Sequence, residues 1–128
     1  MSDEIQIFDE QPLGRLPNRP LSEARIADYR VLPWPDGTRV TVEMGMTPFR
    51  EFPDFDVLIV NRDNEVIKQS SMVASMERRP APTLWLPTLD KGTPLLAVMQ
   101  ILGNGQLLQT VEVPFIVGGP IIKQAIEN

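Results

Sequence analysis

The chain has 128 residues, a formal charge of −5 and 42% hydrophobic residues, enough to build the core of one domain. That acidic balance opposes nucleic-acid binding, which needs clustered Lys and Arg to displace counterions from phosphates, and the one basic doublet, Arg78-Arg79, reads as a solvated turn. Cysteine and histidine are both absent. Their absence excludes disulfides, thiolate nucleophiles, Cys- or His-ligated zinc and haem, and every Ser-His or Cys-His catalytic pair. Only carboxylate, Lys or Tyr chemistry is left, so a non-enzymatic role without cofactor is expected.

The opening MSDEIQIFDEQPLG is acidic and lacks the basic region and apolar run of a secretory signal, which makes cytoplasmic residence the expectation. No run approaches the roughly 18 to 20 apolar residues that cross a bilayer, so no membrane contact is expected. Residues 1–28 read as an extended arm interrupted by Pro12, Pro17 and Pro20. Within it, Arg15–Pro20 carries a PxxP spacing suited to a polyproline II ligand, and Leu21–Ile26 has the length of one helical turn.

From Tyr29 onward the hydrophobic period becomes two. Tyr29–Leu32 forms a first short strand, ended by the turn residues of Trp34-Pro35-Asp36-Gly37. Val40, Val42, Met44 and Met46 then alternate with Arg39, Thr41, Glu43 and Gly45, the pattern of a strand with one buried face. Trp34 reads as a lid over one end of the core. Asp54 and Asp56, two apart at a strand entry, share a face and suit edge charges that oppose sheet-to-sheet association.

Phe55–Asn61 and Val66–Ser75 flank Asn61-Arg62-Asp63-Asn64-Glu65, where Asn61, Asp63 and Glu65 place oxygens at alternate positions. A calcium loop opening at Asn61 would need glycine at its sixth position and glutamate at its twelfth. Val66 and Met72 stand there, so the stretch is a hairpin turn. Thr83–Leu86 is a short strand framed by Pro82 and Pro87. Leu95–Leu102 and Gln106–Val117 flank Asn104-Gly105, a dipeptide suited to a two-residue hairpin turn. Gly103-Asn104-Gly105 lacks the third glycine and following helix of a phosphate loop.

Seven strands with short connections predict an all-β, antiparallel two-sheet sandwich over residues 29–117, followed by a tail, 118–128, with the length for one or two helical turns. In strand order, length and spacing the chain resembles the immunoglobulin-like sandwiches, particularly the cysteine-free fibronectin type III sort. The resemblance covers about seventy per cent of the chain and lies in architecture alone, for there is neither a Cys-Trp-Cys signature nor a tyrosine corner.

Two functions fit this picture. The first is a non-enzymatic protein-interaction or assembly module with a protein partner or self-association. The second is a small carbohydrate- or calcium-binding domain using Asp54, Asp56 and Asp63, with Trp34 or Trp85 as a stacking platform. If Asn104 and Gly105 alone form the last turn, Gly103 faces Gln106, Val98 faces Val111 and Leu96 faces Val113. One core face results, and Met99, Ile101 and Leu108 fall on the opposite face as an interaction surface.

Overall fold

A computed structural model describes residues 25–47, 53–73 and 78–126. The arm up to residue 24, with its PxxP run, lies outside the described residues. Among the described residues there are eight strands: β1 (Ile26–Pro33), β2 (Arg39–Met46), β3 (Asp54–Val60), β4 (Val66–Met72), β5 (Thr83–Trp85), β6 (Pro94–Gly103), β7 (Gln106–Ile116) and β8 (Ile122–Ala125). They make two four-stranded sheets, ordered β5-β2-β1-β8 and β4-β3-β6-β7, with every pairing antiparallel. The predicted all-β two-sheet sandwich is thus the observed fold. No helix long and apolar enough to cross a membrane occurs among the described residues.

Alternation builds the core. Val40, Val42, Met44 and Met46 of β2 are buried, as are Phe55, Val57 and Ile59 of β3 and Leu95, Ala97, Met99 and Ile101 of β6. Side chains from both sheets join one apolar cluster that includes Val31, Met44, Phe55 and Met99. Among the described residues no polar or charged residue is buried, so hydrophobic burial without an internal polar network holds the sheets together.

The first strand opens at Ile26 rather than Tyr29, and Ile26 is a core residue whose N–H donates to Gln109 Oε1 at 2.7 Å. The eighth strand is the second difference. The tail forms no helical turn: it pairs with β1 from Val31↔Ile122 to Asp28↔Ala125. An open β1 edge offers unpaired backbone groups, and the tail satisfies them as a ladder.

β5 is short for the reason its prolines give. Ahead of Thr83 the chain already follows the same register along β2, where the N–H groups of Val42, Met44 and Met46 donate to the carbonyls of Pro82, Pro80 and Arg78. Pro80 and Pro82 cannot donate in return, so the ladder continues on one side only.

The last hairpin corrects the predicted register and faces. Asn104 (φ 53°) and Gly105 (φ 78°) do form the two-residue turn, and Gly103 faces Gln106. Between Leu102↔Leu107 and Ile101↔Gln109 the register shifts, and Leu108 is the extra residue of a β-bulge. From there Met99 faces Val111, Ala97 faces Val113 and Leu95 faces Phe115. The bulge brings the apolar alternation of β7 into phase with that of β6 and leaves Thr110, Glu112 and Pro114 outside. Met99 and Ile101 are therefore 0% exposed in the core, and Leu108 packs partly buried against it. They form no outer surface. The outer face of this sheet is mixed: Leu58, Val60, Leu96 and Val98 make an apolar cluster there, with Val60 and Val98 buried, beside Asp54, Asp56, Gln100 and Glu112.

Candidate functional site

The outer face of the β5-β2-β1-β8 sheet is organised in rows across strands. Alternation on β2 sends Arg39, Thr41, Glu43 and Gly45 outward, opposite Trp85 and Thr83 of β5 and Leu32 and Arg30 of β1. At one end, Glu43 accepts from Arg30 Nη1 and Arg79 Nε, both at 3.0 Å, and Arg79 Nη2 pairs with Asp28 Oδ1 at 2.6 Å. Hydrogen bonds to Asp28 first and Glu43 second push the Arg79 pKa further up. Gly45 makes this possible: a Cβ there would stand 2.3 Å from Arg79 Nη1 and 2.6 Å from Asp28 Oδ2. Arg79, read as half of a solvated turn doublet, is thus a structural bridge.

At the other end the row is aromatic. The Arg39 guanidinium lies between two indoles, 3.9 Å from the Trp34 ring centre and 3.8 Å from that of Trp85. Register and turn chemistry bring the three together. Arg39 faces Trp85 directly across the β2–β5 pair. The β1–β2 turn closes through Trp34 N–H to the Arg39 carbonyl (3.0 Å) and Gly37 N–H to the Trp34 carbonyl (2.9 Å), with Gly37 at φ 77°. Trp34 is no lid on the core: its Nε1 donates to Thr41 Oγ1 at 3.0 Å on the outer face, and Thr41 also bonds Thr83. The tryptophans are 36% and 57% exposed. They are the two tryptophans of the chain, so indole fluorescence reports on this site alone.

Beside the ladder is an open groove of about 570 Å³. Leu32, Trp34, Pro35 and Thr41 line one side, and Gly119, Pro120 and Ile121 the other. The second wall follows from how the chain leaves β7. Gly118 turns at φ 72°, Gly119 N–H donates to the Ile116 carbonyl at 3.0 Å, and Pro120 delivers Ile121, 57% exposed, one position before β8 pairs with β1. A Cβ on Gly119 would stand 2.1 Å from Ile116 Cγ1, so any other residue there would have to displace that side chain.

The acidic candidates stand apart from this groove. In the β3–β4 turn, Asn61 Oδ1 accepts the N–H groups of Asp63 (2.9 Å) and Glu65 (3.0 Å), Asn61 Nδ2 donates to Glu65 Oε1 (2.9 Å), and Asn64 takes φ 66°. The stretch is a hydrogen-bonded turn, as expected. Asp54 and Asp56 share the outer face of β3, and Asp56 Oδ1 accepts from Ser71 at 2.6 Å. Among the described residues no group of three or more acidic side chains could hold a metal ion. Asp36 in the β1–β2 turn is held below the usual carboxylate range by hydrogen bonds from the Thr38 N–H and then the Thr38 hydroxyl.

No family model matches the chain, and no curated protein does. Among solved structures it is similar to part of the β-glucuronidase from Ruminococcus gnavus, both in complex with D-glucaro-1,5-lactone and in complex with uronic isofagomine. In each case the TM-score is 0.50 at 15% identity, over 74% of this chain and 16% of the glucuronidase chain. At that identity the likeness shows the fold, a two-sheet β-sandwich.

Proposed function

We propose that this chain is a non-catalytic protein-interaction module that receives an apolar segment of a partner in the groove between Trp34 and Ile121. One observation carries this: exposed apolar side chains converge there, while the side-chain donors of the groove lining itself, Trp34 and Thr41, are engaged. The Trp34 indole N–H is given to Thr41, and the Thr41 hydroxyl is shared with Thr83. Within the groove lining the Trp34 and Thr41 donors are already spent, so its apolar side chains suit a peptide better than the hydroxyls of a carbohydrate. With neither Cys nor His in the chain, Ser-His and Cys-His catalytic pairs are not available to it.

The connectivity supports a module of the immunoglobulin-like kind. β1-β2-β5 in one sheet and β3-β6-β7 in the other correspond to the A-B-E and C-F-G strands of those sandwiches, with β4 beside β3. Fold alone does not give function, so the proposal rests on the groove.

The test is selection from a random peptide display library on the immobilised full chain, with Ile121→Glu as counter-target. Peptides with an apolar consensus should be enriched on the wild type, quench or shift its indole fluorescence, and lose binding to the variant. Absence of enrichment, or equal binding to both proteins, refutes the proposal.

A further inference from the structure

We infer that Arg39 is a carboxylate receptor beside that groove, so that the segment bound there carries an Asp or Glu side chain next to its apolar residues. The inference rests on the groove reading above and adds the charge of the partner.

Arg39 is prepared for this in three ways. First, the two indole faces fix its guanidinium plane, so the rotamer entropy that an arginine normally loses on pairing is already lost. Second, its ends are available. Nε donates to Thr38 Oγ1 at 3.2 Å, but no carboxylate among the described residues lies within ion-pair distance of the guanidinium. Arg30 and Arg79, on the same sheet face, are paired. A flat guanidinium with unengaged terminal N–H groups matches a planar carboxylate in the two-bond fork geometry.

Third, Arg39 has a second cation near it in a chain whose total is −5. Arg39 and exposed Lys91 both act electrostatically on Asp36, the one carboxylate in this turn, and Asp36 Oδ1 is occupied by Thr38. Lys91 lies along the turn, its Cγ 3.5 Å from where a Cβ on Gly37 would be. An incoming carboxylate therefore meets two cations and one committed anion, with the apolar groove on the far side of Trp34 for the residues that flank it. A partner segment of mixed acidic and apolar character fits both halves of this surface.

The experiment uses the best peptide from the selection above and the same peptide with its acidic residues changed to Asn or Gln. Both are titrated into the full chain and into Arg39→Gln and Arg39→Lys, with indole fluorescence and calorimetry as readouts. Neutralising the peptide should weaken binding to the wild type by about tenfold or more, as expected when a charge-assisted fork is lost. Arg39→Gln should bind both peptides equally weakly, and Arg39→Lys should recover only part of the difference because it lacks the fork. Raising salt from about 0.05 to about 0.5 M should weaken only the acidic peptide. If the neutral peptide binds as well, or if Arg39→Gln holds the acidic peptide within about twofold, Arg39 is a stacking group alone and the groove proposal stands without it. A peptide that pairs only through its terminal carboxylate overturns the inference as well. If selection yields no peptide, both readings fall. The peptide substitution leaves the protein untouched, so misfolding of an Arg39 variant cannot mask the result.

Discussion

Ile101→Ala and its neighbour Leu102→Ala separate the two possible faces of β6. Ile101 is fully buried beside Phe55, its cross-strand partner on β3. Alanine removes three carbons, worth about 2.4 kcal/mol at about 0.8 kcal/mol each. The unfilled space adds about 1 kcal/mol, for a total of about 3.5 kcal/mol. Leu102 points outward and is half-buried. The same truncation there should cost about 1 kcal/mol or less. Against a domain stability of roughly 5 to 15 kcal/mol the first change is large, and it should lower Tm by about 14 to 28 °C. Urea unfolding followed by circular dichroism measures both variants, and an unchanged slope shows that stability alone has changed. Ile101→Glu, which an outer surface would accept, should abolish folding. A cost for Leu102→Ala equal to or above that for Ile101→Ala would refute the bulged hairpin and its buried face.

Deleting Leu108 removes the bulge yet leaves Met99 facing Val111 and Ala97 facing Val113 in the register of a regular two-residue hairpin, so the variant should keep cooperative unfolding, whereas loss of the fold would contradict the register. Asn64→Gly should change stability by less than about 0.5 kcal/mol and Asn64→Ala should cost about 1 kcal/mol, because Asn64 sits at φ 66°; equal effects in thermal unfolding would remove the conformational explanation. Asp36 has a depressed folded pKa, so its contribution is complete above the unfolded carboxylate value and disappears as pH falls through the folded one. Thr38→Val deletes the hydroxyl bond but keeps the stronger backbone one, and the Asp36 midpoint in a carbon NMR titration should rise only part of the way back; an unmoved midpoint would exclude the hydroxyl.

Local chemistry made much of the fold legible. The β2 alternation, the Asn104-Gly105 turn and the Asn61–Glu65 turn each follow from residues adjacent in the chain, and each is present in the structure. The Leu108 bulge is harder to see because Leu107 and Leu108 are both apolar and hide the change of phase. One signal was available: the odd-numbered positions Leu95 to Ile101 and Val111 to Phe115 are both apolar, and they can face each other only if the hairpin holds one extra residue. β8 has no period of two and owes its strand state to the open edge of β1, which is a tertiary effect. The Trp34–Arg39–Trp85 ladder depends on a pairing between distant segments, so its tryptophans could be noticed singly but not assembled.

The pairing of β8 with β1 also decides how the sandwich yields to tension. Ile126 N–H donates to the Ala27 carbonyl at 2.7 Å, and Arg25 leads into β1 at the same corner. A pull applied between residues 25 and 126 therefore acts across the end of an antiparallel ladder rather than along it. The Ile126–Ala27 bond parts first, then Asp28↔Ala125, Tyr29↔Gln124, Arg30↔Lys123 and Val31↔Ile122, one contact at a time instead of all together. Such unzipping needs far less force than shearing. As β8 peels away, Ile121 leaves with it, so a load on this corner takes one wall of the groove with the strand.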